Sequence, residues 1–72
     1  MAGARHKFTA SKGGFIAWVS ELEPHRWCTE VKDVTGMTFV VWFSTSEAEA
    51  RVVLGWLGGL LRCEFRELSA AV

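Results

Sequence analysis

The chain has 72 residues, of which 50% are hydrophobic and 22% charged, which is the composition of one folded domain and not of a disordered segment. Lysine plus arginine and aspartate plus glutamate each number 8, and the two signs are interspersed along the chain, so we expect nucleic acid not to be a partner. The longest nearly apolar run, residues 52–61, is too short to span a membrane, and two cysteines make no disulfide framework, so we expect a cytoplasmic protein.

Alternating side chains and turn residues predict four strands in the first part of the chain. The expected strands are 6–11, 15–22, 26–34 and 38–44. Two glycines in the segment 11–14, and Gly36 in the segment 33–36, supply the positive φ angles that tight turns need. Pro24 ends the second strand, because it has no backbone N–H to donate.

A helix and a last strand are predicted to follow. The capping-box spacing occurs at Ser44 with Glu47 and again at Ser46 with Glu49, so a helix should begin there. The paired glycines Gly58-Gly59 predict its end. The alternating segment "LRCEFRE", residues 61–67, predicts a final strand.

These elements predict one small α+β domain over residues 1–72, with loose ends at 1–5 and 68–72. The expected order is β-β-β-β-α-β, an antiparallel four- to five-stranded sheet with one α-helix packed on one face. Which face the helix covers is left open by the pattern.

The segment "TFVVWFS", Thr38–Ser44, raises the main functional question, because its side chains are apolar on both faces of a strand. One helix covers only one face of a sheet, so apolar side chains of the second strand and of this one should remain exposed on the other face. Exposed apolar patches of this kind are typical of interaction sites. The residues expected to anchor a partner or a dimer interface are Ile16, Trp18, Val40, Trp42 and Trp56. The polar face of the third strand offers a second contact face, formed by Arg26, Glu30 and Lys32.

Three explanations of the surplus apolar surface stay open. Loops and termini could fold over it within one chain, since small sheets twist strongly. A second copy could cover it, and a two-fold homodimer is the default because such dimers are the commonest oligomers. A different protein could also dock there.

Catalytic and metal-binding patterns are weak. His6, His25, Cys28 and Cys63 have the residue types of a zinc site, but only His25 and Cys28 lie close in sequence. No nucleophile stands at a recognisable spacing from a base and an orienting group. We therefore predict no metal, no cofactor and no enzymatic activity.

The segment "MTFVVWFSTSEAEARVVLGWLGGL", residues 37–60, is a strand, a Ser/Thr-rich helix cap and a short helix bearing a tryptophan. Together with the preceding hairpins, this layout resembles certain small phage-encoded proteins, including anti-CRISPR proteins of the type I systems. The resemblance covers residues 15–60 in layout only and carries over no functional residue. It implies a stoichiometric inhibitor that occupies a surface on a bacterial complex.

The sequence thus predicts a non-catalytic protein–protein interaction protein. In its most concrete form this is a small phage or mobile-element inhibitor that binds a host protein complex in the host cytoplasm, as a homodimer. The alternative is a small nucleic-acid-binding module that uses the sheet tryptophans and a basic edge, since aromatic rings stack on bases.

Overall fold

Five strands and one helix make up the computed structural model, which describes residues 3–68. In chain order these are β1 (Arg5–Ala10), β2 (Ile16–Glu23), β3 (Arg26–Lys32), β4 (Thr38–Ser44), α1 (Glu47–Leu61) and β5 (Phe65–Glu67). The strands form one antiparallel sheet in the order β4-β3-β2-β1-β5, with α1 packed on one face. The predicted α+β class and element order are confirmed.

The helix covers the face of the sheet that carries Ala17, Val19 and Val31, all of which are fully buried. The main core cluster is formed by Phe8, Ala17, Val19, Trp27, Val31, Ala50 and Leu54. One buried polar group joins the two layers: the Thr29 hydroxyl donates to the Ala50 carbonyl of α1 at 3.1 Å. Trp27, Thr29 and Val31 alternate with polar residues, so the inward face predicted for the third strand is the face under the helix.

Tight turns hold the hairpins in register. Gly13 and Gly14 have φ of 86° and 74°, which side chains with a Cβ rarely adopt. In the β3–β4 turn the Asp33 carboxylate accepts hydrogen bonds from the backbone N–H groups of Thr35 and Met37. Together with the Thr35 hydroxyl, these donors lower the pKa of Asp33.

The helix begins where the second capping pattern predicts and ends later than expected. Ser46 is the N-cap, and its hydroxyl accepts from the backbone N–H of Glu49 at 3.1 Å. The prediction that Gly58-Gly59 ends the helix is wrong, because α1 continues to Leu61 and is capped by Arg62 in the left-handed region. Gly58 instead serves packing: a Cβ there would lie 2.9 Å from the backbone oxygen of Cys63.

The last strand is shorter than predicted, since it begins at Phe65 and not at residue 61. Backbone hydrogen bonds also reach the predicted loose ends: Ala4 accepts from Glu21, and Leu68 donates to Lys7. Residues 1–2 and 69–72 of those predicted ends lie outside the described residues. No helix within 3–68 is long and apolar enough to cross a membrane.

Candidate interaction surfaces

The β4 strand forms one edge of the sheet, with β3 as its only strand neighbour among the described residues. An edge strand leaves every second pair of its backbone N–H and C=O groups without a partner in the sheet. None of its seven residues is charged. Edge strands that do not pair with another chain usually carry charged residues, and β4 lacks this protection against pairing.

Both faces of β4 expose large apolar side chains. Val40 and Trp42 lie on the helix side, because they pair with Val31 and Thr29 of the buried face, yet Trp42 is 50% exposed. Val41 and Phe43 lie on the opposite face and are also exposed. Val40 is half-buried against the core, so α1 covers part of the helix side of β4 and leaves Trp42 and the opposite face of the strand exposed.

One flank of α1 is apolar and exposed. We call Val52, Trp56 and Leu60 the helix stripe; Trp56 is 63% exposed and Leu60 79%. Their spacing of four residues places them on one side of the helix. Trp42 and Trp56 together expose up to about 280 Å², since a tryptophan side chain offers up to about 250 Å².

Two residues of the helix stripe, Trp56 and Leu60, lie on the flank of α1 that is turned away from β5. Arg51, on another flank of α1, donates a hydrogen bond to Glu67 of β5. This bond shows which flank of the helix faces the β5 edge of the sheet. At about 100° per residue, Trp56 and Leu60 lie roughly 140° and 180° round the helix from Arg51. The helix stripe and the helix side of β4 thus lie on the same side of the molecule.

The face of the sheet that α1 does not cover is called the open face. Strand pairing arranges it in three cross-strand rows: Arg5, Ser20, Cys28 and Phe43; Lys7, Trp18, Glu30 and Val41; Arg66, Thr9, Ile16, Lys32 and Thr38. Burial, together with the nearby Glu30 carboxylate, raises the pKa of the Cys28 thiol. Raising the pKa keeps this thiol protonated and makes it a poor nucleophile.

The predicted anchor residues do not form a single surface. Ile16 and Trp18 lie on the open face, whereas Val40 and Trp42 lie on the helix side and Trp56 on the helix stripe. The four strand residues are divided between the two faces because the β3–β4 register aligns Val40 with Val31 of the buried face. The predicted second contact face does hold together, since Arg26, Glu30 and Lys32 all lie on the open face.

A charged cluster that the sequence does not predict lies at the β1–β5 side and is centred on His6. Its Nδ1 lies 2.7 Å from a Glu67 carboxylate oxygen, and its Nε2 lies 3.5 Å from Glu47. Arg51 binds the same two carboxylates at 2.8 and 3.0 Å. The cluster joins β1, β5 and the first turns of α1, so it serves to hold the helix on this side of the sheet. No pattern in the sequence could have found it, because 61 residues separate His6 from Glu67.

A groove of about 310 Å³ lies between α1 and β5. Apolar side chains such as Phe8, Leu54 and Phe65 line it, and its polar groups come from Arg51, Cys63 and Glu64. Arg51 is already bound to two carboxylates, which leaves few polar groups to act on a substrate. Within residues 3–68, no three His, Cys, Asp or Glu side chains lie together as a metal site would require.

Searches of family models, curated proteins and solved structures gave no match for this chain.

Proposed function

We propose that this protein is a non-catalytic protein–protein interaction module that works as a homodimer joined through β4. The observation that carries the proposal is the uncharged seven-residue edge strand, which exposes apolar side chains on both of its faces. A strand of this kind offers both backbone hydrogen bonds and apolar area to a second strand.

A two-fold axis through Val41 and perpendicular to the sheet would pair two β4 strands antiparallel. In that register Phe39 of one copy lies opposite Phe43 of the other, and Val40 lies opposite Trp42. All of these cross-strand pairs are apolar or aromatic, which is favourable, and none brings like charges together.

The same axis accounts for the helix stripe. Antiparallel pairing about an axis perpendicular to the sheet leaves both helices on one side of a continuous ten-stranded sheet. Because Trp56 and Leu60 lie on the flank of α1 away from β5, these side chains of the two copies would approach each other above Trp42 of both copies. One symmetry operation would thus cover the β4 edge and the surplus apolar surface of α1.

The narrower form of the proposal is that the dimer is a small phage or mobile-element inhibitor of the anti-CRISPR type, which occupies a surface on a host complex. What supports it is the layout over residues 15–60 and the presence of further exposed surface beyond the proposed dimer contact.

The first test is the absolute mass in solution, measured by light scattering on a sizing column over a dilution series. We expect a species near twice 8.0 kDa. Replacing Trp42 by Ala should convert it to monomer, because losing two copies of an anchor side chain worth about 2 kcal/mol each raises Kd by roughly three orders of magnitude.

A matched pair of variants separates a specific interface from general loss of apolar surface. Leu60→Lys places a charge in the helix stripe, whereas Leu68→Lys places one beside β5 at the opposite edge, where the leucine is 48% exposed. We expect only Leu60→Lys to produce monomer. A wild-type protein that stays monomeric at the highest concentration, or equal effects of the two lysines, would overturn the proposed dimer.

A further inference from the structure

We infer that the open face binds single-stranded nucleic acid, through a row of cations arranged around Trp18. This activity is separate from dimerisation, because its main residues belong to β1, β2 and β3 and not to the β4 edge or the helix stripe. It also reverses the expectation, drawn from the neutral net charge, that nucleic acid is not a partner.

The charges of this neutral chain are separated in space. Five of the eight lysines and arginines lie on the open face: Arg5, Lys7, Arg26, Lys32 and Arg66. One acidic residue, Glu30, lies within that face, and two more at its rim, Glu23 and Glu64, bind Arg26 and Arg66. The helix side instead carries four carboxylates, those of Glu21, Glu47, Glu49 and Glu67.

Three of the open-face cations are available to a ligand. Arg5, Lys7 and Lys32 make no ion pair with any residue in the described range 3–68. Neighbouring cations on one face repel one another, and phosphate groups relieve that repulsion while releasing counterions. Charge complementarity therefore favours a polyanion over a neutral partner.

Aromatic rings on the same face favour bases, and not phosphate alone. The Arg5 guanidinium carbon lies 3.9 Å from the Trp18 ring centroid, and the Lys7 ammonium lies 5.2 Å from it. Arg26 lies over the Phe43 ring at 5.4 Å. Bases of a single strand stack on aromatic rings and on guanidinium planes, while neighbouring cations bind the backbone.

A single strand fits this surface better than a duplex. Stacking requires unpaired bases, and within residues 3–68 the open face presents a sheet with no helix that could enter a major groove. The three tryptophans in the strands are Trp18, Trp27 and Trp42. Of these only Trp18 lies on the open face, since Trp27 is buried under α1 and Trp42 is on the helix side.

The test is fluorescence anisotropy with a labelled oligothymidine or oligouridine of about 12 nucleotides, at salt from about 50 to about 200 mM. With three to five phosphates neutralised, log Kd should change with log salt by about 2 to 3.5. Affinity should accordingly fall roughly 20- to 100-fold over that salt range.

Substitution of the cations and substitution of Trp18 should weaken binding in different ways. The double variant Lys7→Glu with Lys32→Glu should weaken binding and reduce the salt slope by about 1.4, because two phosphate contacts are lost. Trp18→Ala should weaken binding about 5- to 150-fold and leave the slope unchanged, because stacking carries no counterion release. Trp18→Phe keeps a ring and should retain most of the affinity.

Lys12→Glu is the matched control, since this exposed lysine lies in the β1–β2 turn and not on the open face. It should leave affinity near wild type at about 200 mM salt, where charges beyond a Debye length are screened. No binding at the lowest salt, a Lys12→Glu loss equal to that of the double variant, or a duplex bound as tightly as the single strand would overturn the inference. Circular dichroism of each variant confirms that the fold is kept.

Discussion

The β4 and β5 edges of the sheet differ in length, charge and cover. The β5 edge has three residues; Arg66 binds Glu64, and Glu67 belongs to the cluster with His6 and Arg51. The β4 edge has seven residues, no charge and several exposed apolar side chains. Short length and charge are the usual means by which proteins prevent a strand edge from pairing with another chain. The chain applies them at one edge and omits them at the other, which is the pattern expected when the unprotected edge has a partner.

The largest effect on dimerisation is expected when the β4 edge receives a charge like those at the β5 edge. Val41→Lys introduces one charge at the centre of the strand, on the open face and away from the helix stripe. In the proposed register the two lysines stand directly opposite each other, which is unfavourable, so we expect Kd to rise at least 100-fold. Sedimentation velocity over a concentration series measures it.

Val34→Lys is the control, since Val34 is 76% exposed in the β3–β4 turn and outside the proposed contact. It should leave the dimer intact. If Val41→Lys remained dimeric while Trp42→Ala did not, the interface would use the helix side alone, and strand pairing would be excluded.

Local signals predicted much of the fold, because they depend on neighbours in the chain. The alternation in β3 and the Ser46–Glu49 cap are of this kind, and both occur as expected. The end of α1 was missed because the role of Gly58 depends on the backbone oxygen of Cys63, a contact that the glycine pattern does not encode.

The surfaces were less predictable, because they depend on how strands align. Alternation within β4 predicts which of its residues share a face, but only the register with β3 shows that Val40 and Trp42 lie on the helix side of the sheet. The separation of charge was hidden for the same reason. Residues such as Arg5, Lys7 and Lys32 look interspersed with acids in sequence and are brought to one face by pairing.

At Gly58, α1 packs closely on Cys63 in the segment that precedes β5, whereas the helix surface at Gly55 and Gly59 is open. Gly58→Ala would place a Cβ 2.9 Å from the Cys63 oxygen, so we expect a loss of about 1–3 kcal/mol in the free energy of unfolding. At Gly55 and Gly59 an added Cβ meets no atom within 4 Å beyond the adjoining residues and the helix's own backbone. Gly55→Ala should therefore stabilise the protein by up to about 1 kcal/mol, since alanine favours the helix. Urea unfolding at fixed protein concentration compares them; equal effects of the two alanines would contradict a packed joint at Gly58.

The smallest expected effect concerns the charges that protect β5. Hydrogen bonds from Arg51 first, and then from His6, lower the pKa of Glu67 below its ordinary value of 4.5. A carboxyl whose pKa is lowered by folding stabilises the folded state above its unfolded pKa and loses that contribution as the pH falls through the folded pKa.

Glu67→Gln should therefore lower the urea midpoint at pH 6, and the difference from wild type should shrink as the pH falls below 4.5. The effect is modest because water screens exposed ion pairs. Glu64→Gln, which removes one bond to an exposed arginine, should change the midpoint less. A Glu67→Gln difference that stays constant down to pH 3 would assign the stabilisation to side-chain packing and not to the charge cluster.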